Sequence, residues 1–596
     1  MKKSLLISGI LIMVAGYLLF SCTPNTSSPE KTIATTILRQ IDDFAQTKDK
    51  LQNAVAQGTD GETLKQLFLD TRIAYKKIEW ATEYFAPVVS RSVNGAPVEE
   101  VELNGQVLEP AGLQMIETYL FPKYDSSKKT ELIAALKNID PACNKYRMYF
   151  KNIDLLNWQV FDAAKLETFR VMTLGITGFD NALSENSMEE CATGLKSIKA
   201  ALGYYTNDKD QVLINSRIDH AVDYLEKHRN FNKFDRAVFI TEYANPISAG
   251  IADIEKELKI KTTTYNRLLN QQARTLFDTN AYNVNAYMPD QVYAMTAAKV
   301  ALGKKLFADP MLSGTGTRSC QSCHQTEKAF TDGLERNTVL NGDKLLRRNT
   351  PTLLNAALQA GQFDDLRAAT LEDQSFNVIQ NADEMHGSLQ RAVGQLWENR
   401  DYRLLFSAAF PKPNRTGVDT SEVMNAIGSY IRSLTSLNSR FDAYMRGDKT
   451  AMNQTELNGF NLFMGKAKCG SCHYMPLFNG TLPPRYMRME TEVIGVPVKP
   501  GSSIQDTDMG RYNIIQANSL KHAFKVPTLR NAARTAPYMH NGAFATLREV
   551  VDFYNKGGGA GLGMHIDNQT LSFDKLNLSD KECDEIVAFI KTLDSQ

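Results

Sequence analysis

Two pentapeptides of the same form decide the fold: Cys320-Gln321-Ser322-Cys323-His324 and, further along the chain, Cys469-Gly470-Ser471-Cys472-His473. Two thiols three positions apart can form thioether bonds to both vinyl groups of one porphyrin, and the histidine that follows is then held beneath the iron as an axial ligand. A zinc site would need a second Cys/His pair close by, and a thioredoxin-like site would need a strand before the motif and a helix after it. Neither context is evident here. The sequence therefore predicts two covalently attached haem c groups, with His324 and His473 as iron ligands.

The composition is that of an ordinary globular protein. The chain has 596 residues, 43% of them hydrophobic and 22% charged, which is enough for three or four domains. Lys and Arg together number 67, as do Asp and Glu, so the formal net charge is zero. Because a nucleic-acid partner normally requires a basic surplus or stripe, we expect no nucleic-acid binding.

The first 22 residues differ from the rest of the chain. Met1-Lys2-Lys3 precedes an apolar run over 5–20, and a small residue precedes Cys22. This arrangement resembles a bacterial lipoprotein signal peptide, residues 1–22, in which cleavage before Cys22 leaves that cysteine to carry the lipid. A transmembrane anchor is the alternative, although the run is short for a span. We expect a lipoprotein of the cell envelope that faces the periplasm, with residues 23–30 as a flexible tether to the membrane.

Three further cysteines lie outside the two motifs and the signal peptide. Cys143 and Cys191 could form a disulfide in an exported protein, although the sequence alone leaves this pairing open. Cys583 lies in an amphipathic segment near the C-terminus and is expected to be a buried thiol.

Helical periodicity dominates residues 31–261. Apolar residues recur on one face at steps of three, four and seven, beginning with Ile33, Ile37, Ile41 and Phe44. Each such helix needs a partner for its apolar stripe, so the pattern predicts a bundle of roughly six to eight helices.

The haem motifs fall in two modules after this bundle. Residues 262–297 are interpreted as a linker, and 298–450 and 451–596 each contain one motif, which fits one compact domain per haem. Strand patterns are confined to short hairpins. The predicted fold is mainly α: an N-terminal helical bundle followed by two cytochrome c-like haem domains.

One segment of the N-terminal half carries a further pattern. Gly112–Glu117 (GLQMIE), preceded on a helix by Tyr75 and Glu79, resembles the imelysin-like helical domains of exported bacterial proteins. That family has a GxHxxE motif, and Gln114 stands at its histidine position. With the histidine lost, we expect residues 31–261 to form a binding or structural domain rather than a metal site. The alternative is that Gln114 and Glu117 are ordinary polar residues near a turn.

Four ordered motifs occupy the C-terminal half. They are Leu302–Phe307 (LGKKLF), Arg347–Asn355 (RRNTPTLLN), Phe524–Asn531 (FKVPTLRN) and Ala536–Gly542 (APYMHNG). This half of the chain resembles the bacterial di-haem cytochrome c peroxidases and the related MauG-type enzymes of methylamine utilisation. The resemblance implies that peroxide reacts at the haem of the N-terminal motif.

The resemblance also implies a distal pocket above that haem. In the family a Gln and a Glu ten residues apart line it, and Gln374 and Glu384 match those positions. Breaking the O–O bond heterolytically needs a base that moves a proton from the inner to the outer oxygen, which a carboxylate near a ferric haem can do. The Gln amide can hold peroxide by hydrogen bonds, and His324 supplies electron density from the opposite side. The alternative for Glu384 alone is a surface charge at a helix end.

The coordination of the first iron is expected to be open. Family members that need reductive activation keep a histidine on the loop before the Arg-Asn-x-Pro motif, and residues 333–346 of this chain contain none. The iron at His324 is therefore predicted to be five-coordinate or water-bound and ready for peroxide. His386 is interpreted as a solvent-facing turn residue rather than a substitute ligand.

The sixth ligand of the second haem is predicted to be Tyr554. The peroxidases have a Met at the corresponding position, whereas MauG-type enzymes have a Tyr, whose phenolate stabilises higher oxidation states of iron. The alternative is that Tyr554 only packs, with Met539, Met564 or His565 as the ligand.

Two further features follow from the resemblance. The family places a Trp between the haems in Phe-Trp-Asp-Gly-Arg, but Phe363–Arg367 reads FDDLR, so electrons would have to pass through other groups or more slowly. The family also binds calcium between the haems through an Asn side chain and two backbone carbonyls. Asn349, Thr535 and Pro537 match those positions, and oxygen ligands suit Ca²⁺. The alternative for these residues is a hydrogen bond inside a turn.

The main hypothesis is a lipoprotein that reduces hydrogen peroxide to water at the His324 haem. Electrons would arrive at the His473 haem from a small cytochrome c or a cupredoxin. A second hypothesis, a MauG-type oxidase acting on a protein or small organic donor, is favoured by Tyr554 and disfavoured by the missing Trp. A third is a non-enzymatic electron-transfer or sensor module in which the N-terminal bundle binds a partner.

Overall fold

The computed structural model describes residues 28–102, 104–205, 208–572 and 574–595. The signal peptide 1–22, the lipidation site Cys22 and most of the tether 23–30 lie outside these ranges, so their predictions stand as stated. Within these ranges, none of the helices combines the length and apolar character needed to cross a membrane.

The N-terminal half is built of helices, as its periodicity predicts. Pro29–Gln57 begins at Ser28, whose hydroxyl accepts the Lys31 backbone N–H, and ends at Gly58, which adopts the left-handed backbone (φ 78°) that residues with a Cβ rarely take. The helices that follow are Gly61–Lys76, Glu79–Phe85, Pro87–Asn94, Leu113–Leu120, Lys129–Lys137, Asp140–Asn152, Asn157–Thr173, Ser187–Leu202, Asp208–Lys227, Arg236–Val238 and Asn245–Glu257. A π-helical turn, Phe239–Ala244, joins the last two.

These segments outnumber the roughly six to eight helices predicted, because short helices are separated by turns that a periodicity window does not resolve. The one hairpin described in this half pairs Glu100–Val101 with Val107–Leu108 in antiparallel register. Asn104-Gly105 lies in the turn that joins its two strands.

The C-terminal half is also mainly α-helical, which confirms the predicted fold class. Its helices are Ala297–Ala308, Cys320–Cys323, Leu371–Gln380, Leu389–Glu398, Arg400–Ala409, Thr420–Ser433, Arg440–Met445, Gln454–Met464, Leu547–Asn555, Gly558–Gly561 and Asp580–Lys591. A two-stranded antiparallel sheet pairs Thr491–Glu492 with Phe524–Lys525.

The same helix crossing occurs once in each haem module. Ala297–Ala308 packs against Thr420–Ser433, and Gln454–Met464 packs against Asp580–Lys591. At each crossing a glycine lets two backbones touch: a Cβ on Gly303 would overlap the Ala426 carbonyl oxygen, and a Cβ on Gly459 would overlap that of Glu585. In each module the helix with this glycine precedes the CxxCH motif. The modules thus share one cytochrome c-like architecture.

The hydrophobic core does not follow the division into the bundle and two haem modules that the sequence predicts. Apolar side chains of the bundle and of the second haem module form one continuous cluster, whereas the first haem module has its own. The predicted linker 262–297 is packed into the larger cluster: Leu269 and Phe277 are buried, and the Tyr282 ring lies 5.9 Å from the Tyr486 ring of the second haem module. The segment therefore holds the bundle and the second module together, although its backbone is largely irregular.

The optional Cys143–Cys191 disulfide is not formed. Both cysteines are free buried thiols. They lie on different helices, Asp140–Asn152 and Ser187–Leu202, and the Cys191 sulfur packs instead where Gly175 leaves room for it. Cys583 is a buried free thiol, as predicted.

Replacing Gly303 by Ala is expected to lower the free energy of unfolding of the haem-loaded protein by about 1–3 kcal/mol, because the added methyl forces the crossing helices apart. Gly394→Ala is the matched control, since this helical glycine has open space around its Cβ position. It is expected to raise stability by about 0.5–1 kcal/mol through helix propensity. Chemical denaturation measures both, and equal effects would contradict the proposed contact at the crossing.

Candidate haem sites

Each CxxCH histidine is held in the same way. The Nδ1 atom of His324 lies 3.0 Å from the Phe330 carbonyl oxygen, and that of His473 lies 3.1 Å from the Pro527 carbonyl oxygen. A carbonyl can only accept, so Nδ1 carries the proton and Nε2 is left free, as in metal-binding histidines generally. Burial lowers the pKa of both imidazoles, that of His473 to about 4. Both rings are therefore neutral, the form that binds metal.

The cysteines fit the same purpose. Cys320 and Cys323 occupy one turn of helix, Cys469 and Cys472 flank one 3-10 turn, and all four are free, partly buried thiols. Two thiols one turn apart beside a neutral imidazole match the attachment chemistry of haem c. The residues of both motifs fit this group.

Gln374 lies on the helix Leu371–Gln380, which is fixed to its neighbour by a buried ion pair. Glu372, two residues before Gln374, accepts hydrogen bonds from both terminal nitrogens of Arg432 at 2.6 and 2.9 Å. The Oε1 atom of Gln374 is buried and has no hydrogen-bond partner among the described residues. It is one of several buried polar side-chain atoms without a partner among the described residues, and it is free to accept a hydrogen bond from a bound molecule.

Glu384 follows this helix and faces the first motif. Its Oε1 accepts from Asn381 Nδ2 at 2.6 Å. Burial raises the pKa of the Glu384 carboxyl, against the opposing charges of Arg367 and Arg318. Burial raises the pKa of the Cys323 thiol to about 11, and the charges of Asp332 and Glu384 act in the same direction. The Glu384 carboxyl therefore lies near that cysteine. Glu384 is thus partly buried beside the motif rather than a free surface charge.

His386 is exposed and sits in the left-handed region of the backbone (φ 47°). Its backbone N–H donates to the Asn381 carbonyl, which holds it in the turn after Glu384. This is the solvent-facing turn position that the sequence predicts.

Tyr554 lies near the second motif, at the end of the helix Leu547–Asn555. Burial, followed by the charges of Cys472 and Cys469, raises the pKa of its phenol, so the ring is close to both thiols. No hydrogen bond involves the Tyr554 hydroxyl in the described part of the chain. Among the alternatives, the His565 side chain is 93% exposed and points away from any buried site.

The two haem modules meet at Arg348. Its guanidinium binds Asp365 and Asp508 at 2.7 Å each and lies 5.4 Å from the centre of the Phe524 ring. Phe524 in turn stacks on His540, with ring centres 3.7 Å apart and planes 10° apart. Arg348, Phe524 and His540 all lie in the family motifs, and Asp365 lies in the Phe363–Arg367 segment, but their contact was not predicted. Asp508 lies in none of these segments.

In the segment Phe363–Arg367, the two end residues stack on each other, with the Arg367 guanidinium carbon 3.5 Å from the centre of the Phe363 ring. The seam between the modules is therefore ionic and aromatic, without an indole in this segment.

The residues matched to a calcium site lie at the same seam. The Asn349 backbone N–H donates to the His540 carbonyl at 2.7 Å, which joins it to the Ala536–Gly542 motif. Its side-chain Nδ2 donates to the Leu334 and Glu335 carbonyls at 2.8 and 3.2 Å, and Thr535 donates to Ala532. Among the described residues, no three His, Cys, Asp or Glu side chains form a group able to hold a metal ion. Calcium therefore stays a prediction.

The GxHxxE-like segment is satisfied within the fold. Gln114 is buried and its Nε2 donates to the Asn94 carbonyl at 2.9 Å. Glu117 accepts from the backbone N–H groups of Leu183 and Ser184 at 3.3 and 3.0 Å. These contacts are structural. The imelysin-like assignment itself stays a prediction.

Comparison with known proteins identifies the C-terminal half. The family described as Di-haem cytochrome c peroxidase matches residues 297–450. The methylamine utilization protein MauG of Methylorubrum extorquens is 34% identical over 304 residues, which is 51% of this chain and 80% of that protein. The cytochrome c551 peroxidase of Nitrosomonas europaea is 34% identical over 296 residues, 49% of this chain and 78% of that protein.

Among solved structures, a MauG-like protein associated with microbial copper homeostasis is 30% identical, with a TM-score of 0.46, and the match covers 52% of this chain and 94% of that one. The sequence matches span about half of this chain and more than two thirds of each relative. The chain belongs to the di-haem cytochrome c peroxidase family, which implies two haem c groups.

Proposed function

We propose that this oxidoreductase reduces hydrogen peroxide to water at the haem of its first CxxCH motif. Electrons arrive through the haem of the second motif from a small redox protein, a cytochrome c or a cupredoxin. The observation that carries the proposal is the buried, unpartnered Oε1 of Gln374 on the helix that leads to Glu384, whose carboxyl lies near Cys323 of the first motif. The naming of relatives as cytochrome c551 peroxidases supports the same reaction.

The side chains that would hold the two groups are those of the motifs. Both cysteines of each motif would form the thioether bonds, and the free Nε2 of each histidine would bind the iron. The residues are Cys320, Cys323 and His324 for the first haem, and Cys469, Cys472 and His473 for the second, to which Tyr554 would add a phenol oxygen ligand.

The chemistry of the protein groups is proton transfer and orientation. When bound, the haem iron supplies the electrons and the electrophilic site at which peroxide is cleaved. Glu384 accepts the proton of the inner peroxide oxygen and returns it to the outer oxygen, which leaves as water. The Gln374 amide orients the peroxide, and the Phe330 carbonyl holds the His324 ring. Overall, hydrogen peroxide takes up two electrons and two protons and yields two molecules of water.

Tyr554 favours a second candidate function. Its phenol is buried at the end of the helix Leu547–Asn555, and the charges of Cys472 and Cys469 of the second motif contribute to its raised pKa. A tyrosine ligand is the MauG-type pattern, so a MauG-type oxidase that takes electrons from a protein or small organic donor is the alternative. The lipid anchor at Cys22, the periplasm-facing location and a calcium ion held by Asn349, Thr535 and Pro537 remain predictions from the sequence.

Glu384→Gln is expected to lower kcat for peroxide reduction by about 10²–10⁴-fold, because the amide cannot accept the proton. The control is Asp383→Asn, which removes the adjacent, exposed carboxylate and should leave turnover unchanged. Turnover is measured by oxidation of a reduced cytochrome c. Full activity of Glu384→Gln would show that another group is the base.

Arg367→Ala is expected to move the acid limb of the pH profile of kcat/KM to higher pH. Glu384 acts as a base only when ionised, burial already raises its pKa, and Arg367 is the largest charge that lowers it. Removing Arg367 raises this pKa further, so activity is lost at a higher pH as the solution is acidified. The exposed Arg400→Ala is the control. A limb that stays in place or moves down in pH contradicts the assignment.

Tyr554→Phe is expected to change the optical and EPR spectra of the second haem, because the ring remains but its oxygen ligand is lost. Tyr204→Phe, at an exposed tyrosine of the bundle, is the control and should leave both spectra unchanged. Unchanged spectra in Tyr554→Phe would favour Met539 or Met564 as the ligand.

A further inference from the structure

Glu384, the proposed base, lies on a tight loop whose backbone is fixed. The Met385 carbonyl accepts the Gly314 backbone N–H at 2.8 Å, and the Glu384 carbonyl accepts a hydrogen bond from Arg318 Nη1 at 3.2 Å. A Cβ on Gly314 would overlap the His386 carbonyl oxygen, so the two segments touch. Gly314 and Arg318 belong to the segment that leads directly into the first CxxCH motif. The loop therefore has a set place relative to that motif.

A fixed backbone does not by itself fix the carboxyl group. A glutamate side chain has three rotatable bonds, and each can adopt several positions. Within the described part of the chain, the Glu384 carboxylate forms no ion pair. Its single hydrogen bond there is the one that Oε1 accepts from Asn381 Nδ2 at 2.6 Å. The direction of the carboxyl therefore depends on this contact.

The two ends of the Asn381 amide make different contacts, and these fix its orientation. Its Oδ1 accepts the Asp383 backbone N–H at 3.0 Å, and a backbone N–H can only donate. The Nδ2 end must then face Glu384, whose carboxylate can only accept. The same side chain thus closes the turn through its oxygen and holds the carboxyl through its nitrogen.

The contact with Asn381 leaves one carboxylate oxygen open. No described residue forms a hydrogen bond with Glu384 Oε2, and the side chain is only partly buried. Each oxygen of a carboxylate can accept hydrogen bonds. Because the amide occupies Oε1, Oε2 is the oxygen that is free to take a proton from a bound molecule.

We propose that Asn381 is the positioning residue for the Glu384 base: its Nδ2 holds Oε1, so that Oε2 is presented to the proton of the substrate. This rests on the proposed function, in which Glu384 takes the proton of the inner peroxide oxygen. Asn381 acts only through Glu384 and exchanges no proton itself. A general base must lie within hydrogen-bond reach of the proton that it takes, and a misplacement of about 1 Å can cost about 10²-fold in rate.

The groups around Glu384 determine how the pH profile responds. Burial raises the pKa of the Glu384 carboxyl, and the charge of Asp383 acts in the same direction. The charge of Arg367, the Asn381 hydrogen bond and the charge of Arg318 lower this pKa. The Asn381 amide donates to the ionised form, so its loss raises the pKa. Because the base works only when ionised, the acid limb of the activity profile then moves to higher pH.

Asn381→Asp separates the two contacts of the side chain. The aspartate keeps an oxygen that accepts the Asp383 N–H, so the turn is retained, but it replaces the donor to Glu384 by a second acceptor. We expect kcat for peroxide reduction to fall about 10²-fold and the acid limb of kcat/KM to move to higher pH. Asn381→Ser keeps a turn oxygen without adding charge and should change both quantities in the same direction by less.

Asn399→Asp is the matched control. The Oδ1 atom of Asn399 also accepts backbone N–H groups that follow it, those of Asp401 and Tyr402 at 2.9 and 3.3 Å, at an exposed helix start. No carboxylate among the described residues accepts from its Nδ2. This variant should leave kcat and the acid limb unchanged. A purely structural role for Asn381 would lower the free energy of unfolding, measured by chemical denaturation, and leave the acid limb in place.

Cyanide binding to the ferric first haem needs neither electron transfer nor O–O cleavage. Hydrogen cyanide gives up its proton when cyanide binds the iron, and Glu384 is the group placed to accept it. Stopped-flow absorbance should show binding slowed about tenfold or more in Asn381→Asp and in Glu384→Gln, and slowed less in Asn381→Ser. Asn399→Asp should bind cyanide at the rate of the wild type.

Two results would overturn the proposal. The first is a cyanide rate and an acid limb in both Asn381 variants that equal those of Asn399→Asp. The second is cyanide binding that Glu384→Gln leaves unchanged. The proposed peroxidase function is judged separately, by peroxide turnover of the wild type. If the wild type turns over no peroxide while cyanide binding still depends on Asn381 and Glu384, the peroxidase is rejected and the positioning of the base stands.

Discussion

A histidine can bind iron only through a ring nitrogen that carries no proton, and this constraint shapes both haem modules. In each one a backbone carbonyl, that of Phe330 or Pro527, accepts a hydrogen bond from the Nδ1–H of the imidazole and so leaves Nε2 without a proton. In the first module this carbonyl, that of Phe330, follows the motif closely in sequence, whereas in the second module Pro527 is far from the motif in sequence. The helix crossings at Gly303 and Gly459 bring backbone against backbone beside each motif, and the remaining loops are arranged around these fixed points.

Buried ion pairs fix the positions of segments that the haem motifs do not contact. The helix that carries Gln374 is held by the buried Glu372–Arg432 pair, and the seam between the modules is held by Arg348 and its two aspartates. Buried pairs of this kind contribute little net stability compared with apolar packing, but a wrong arrangement leaves a charge without a partner and is strongly disfavoured. They therefore fix position, which a peroxide pocket requires more than extra stability.

The haem motifs and several helix starts could be predicted from residues close together in sequence, whereas contacts between distant residues could not. The CxxCH motifs, the helix Ala297–Ala308 and the Asp419–Glu422 start of the helix Thr420–Ser433 follow from residues close together in sequence. The helix Thr420–Ser433 does not continue to Arg440, because the Ser436 backbone N–H donates to the side chain of Asn355, far away in sequence. Partners such as Arg348 and Asp508 carry no local signal, since nothing in the intervening chain records that they meet.

The bundle and the second haem module share one hydrophobic core, so the stability of each depends on the other. Phe277 from the irregular segment lies against Phe441, and the same apolar cluster continues through Phe460, Phe478 and Phe589. A chain shortened to the half that its relatives match would leave the apolar side chains that now face the bundle in contact with water, and exposed apolar surface of this kind leads to aggregation. The bundle is thus part of the scaffold that supports the second haem module, so the half that the relatives match is not a self-contained core in this chain.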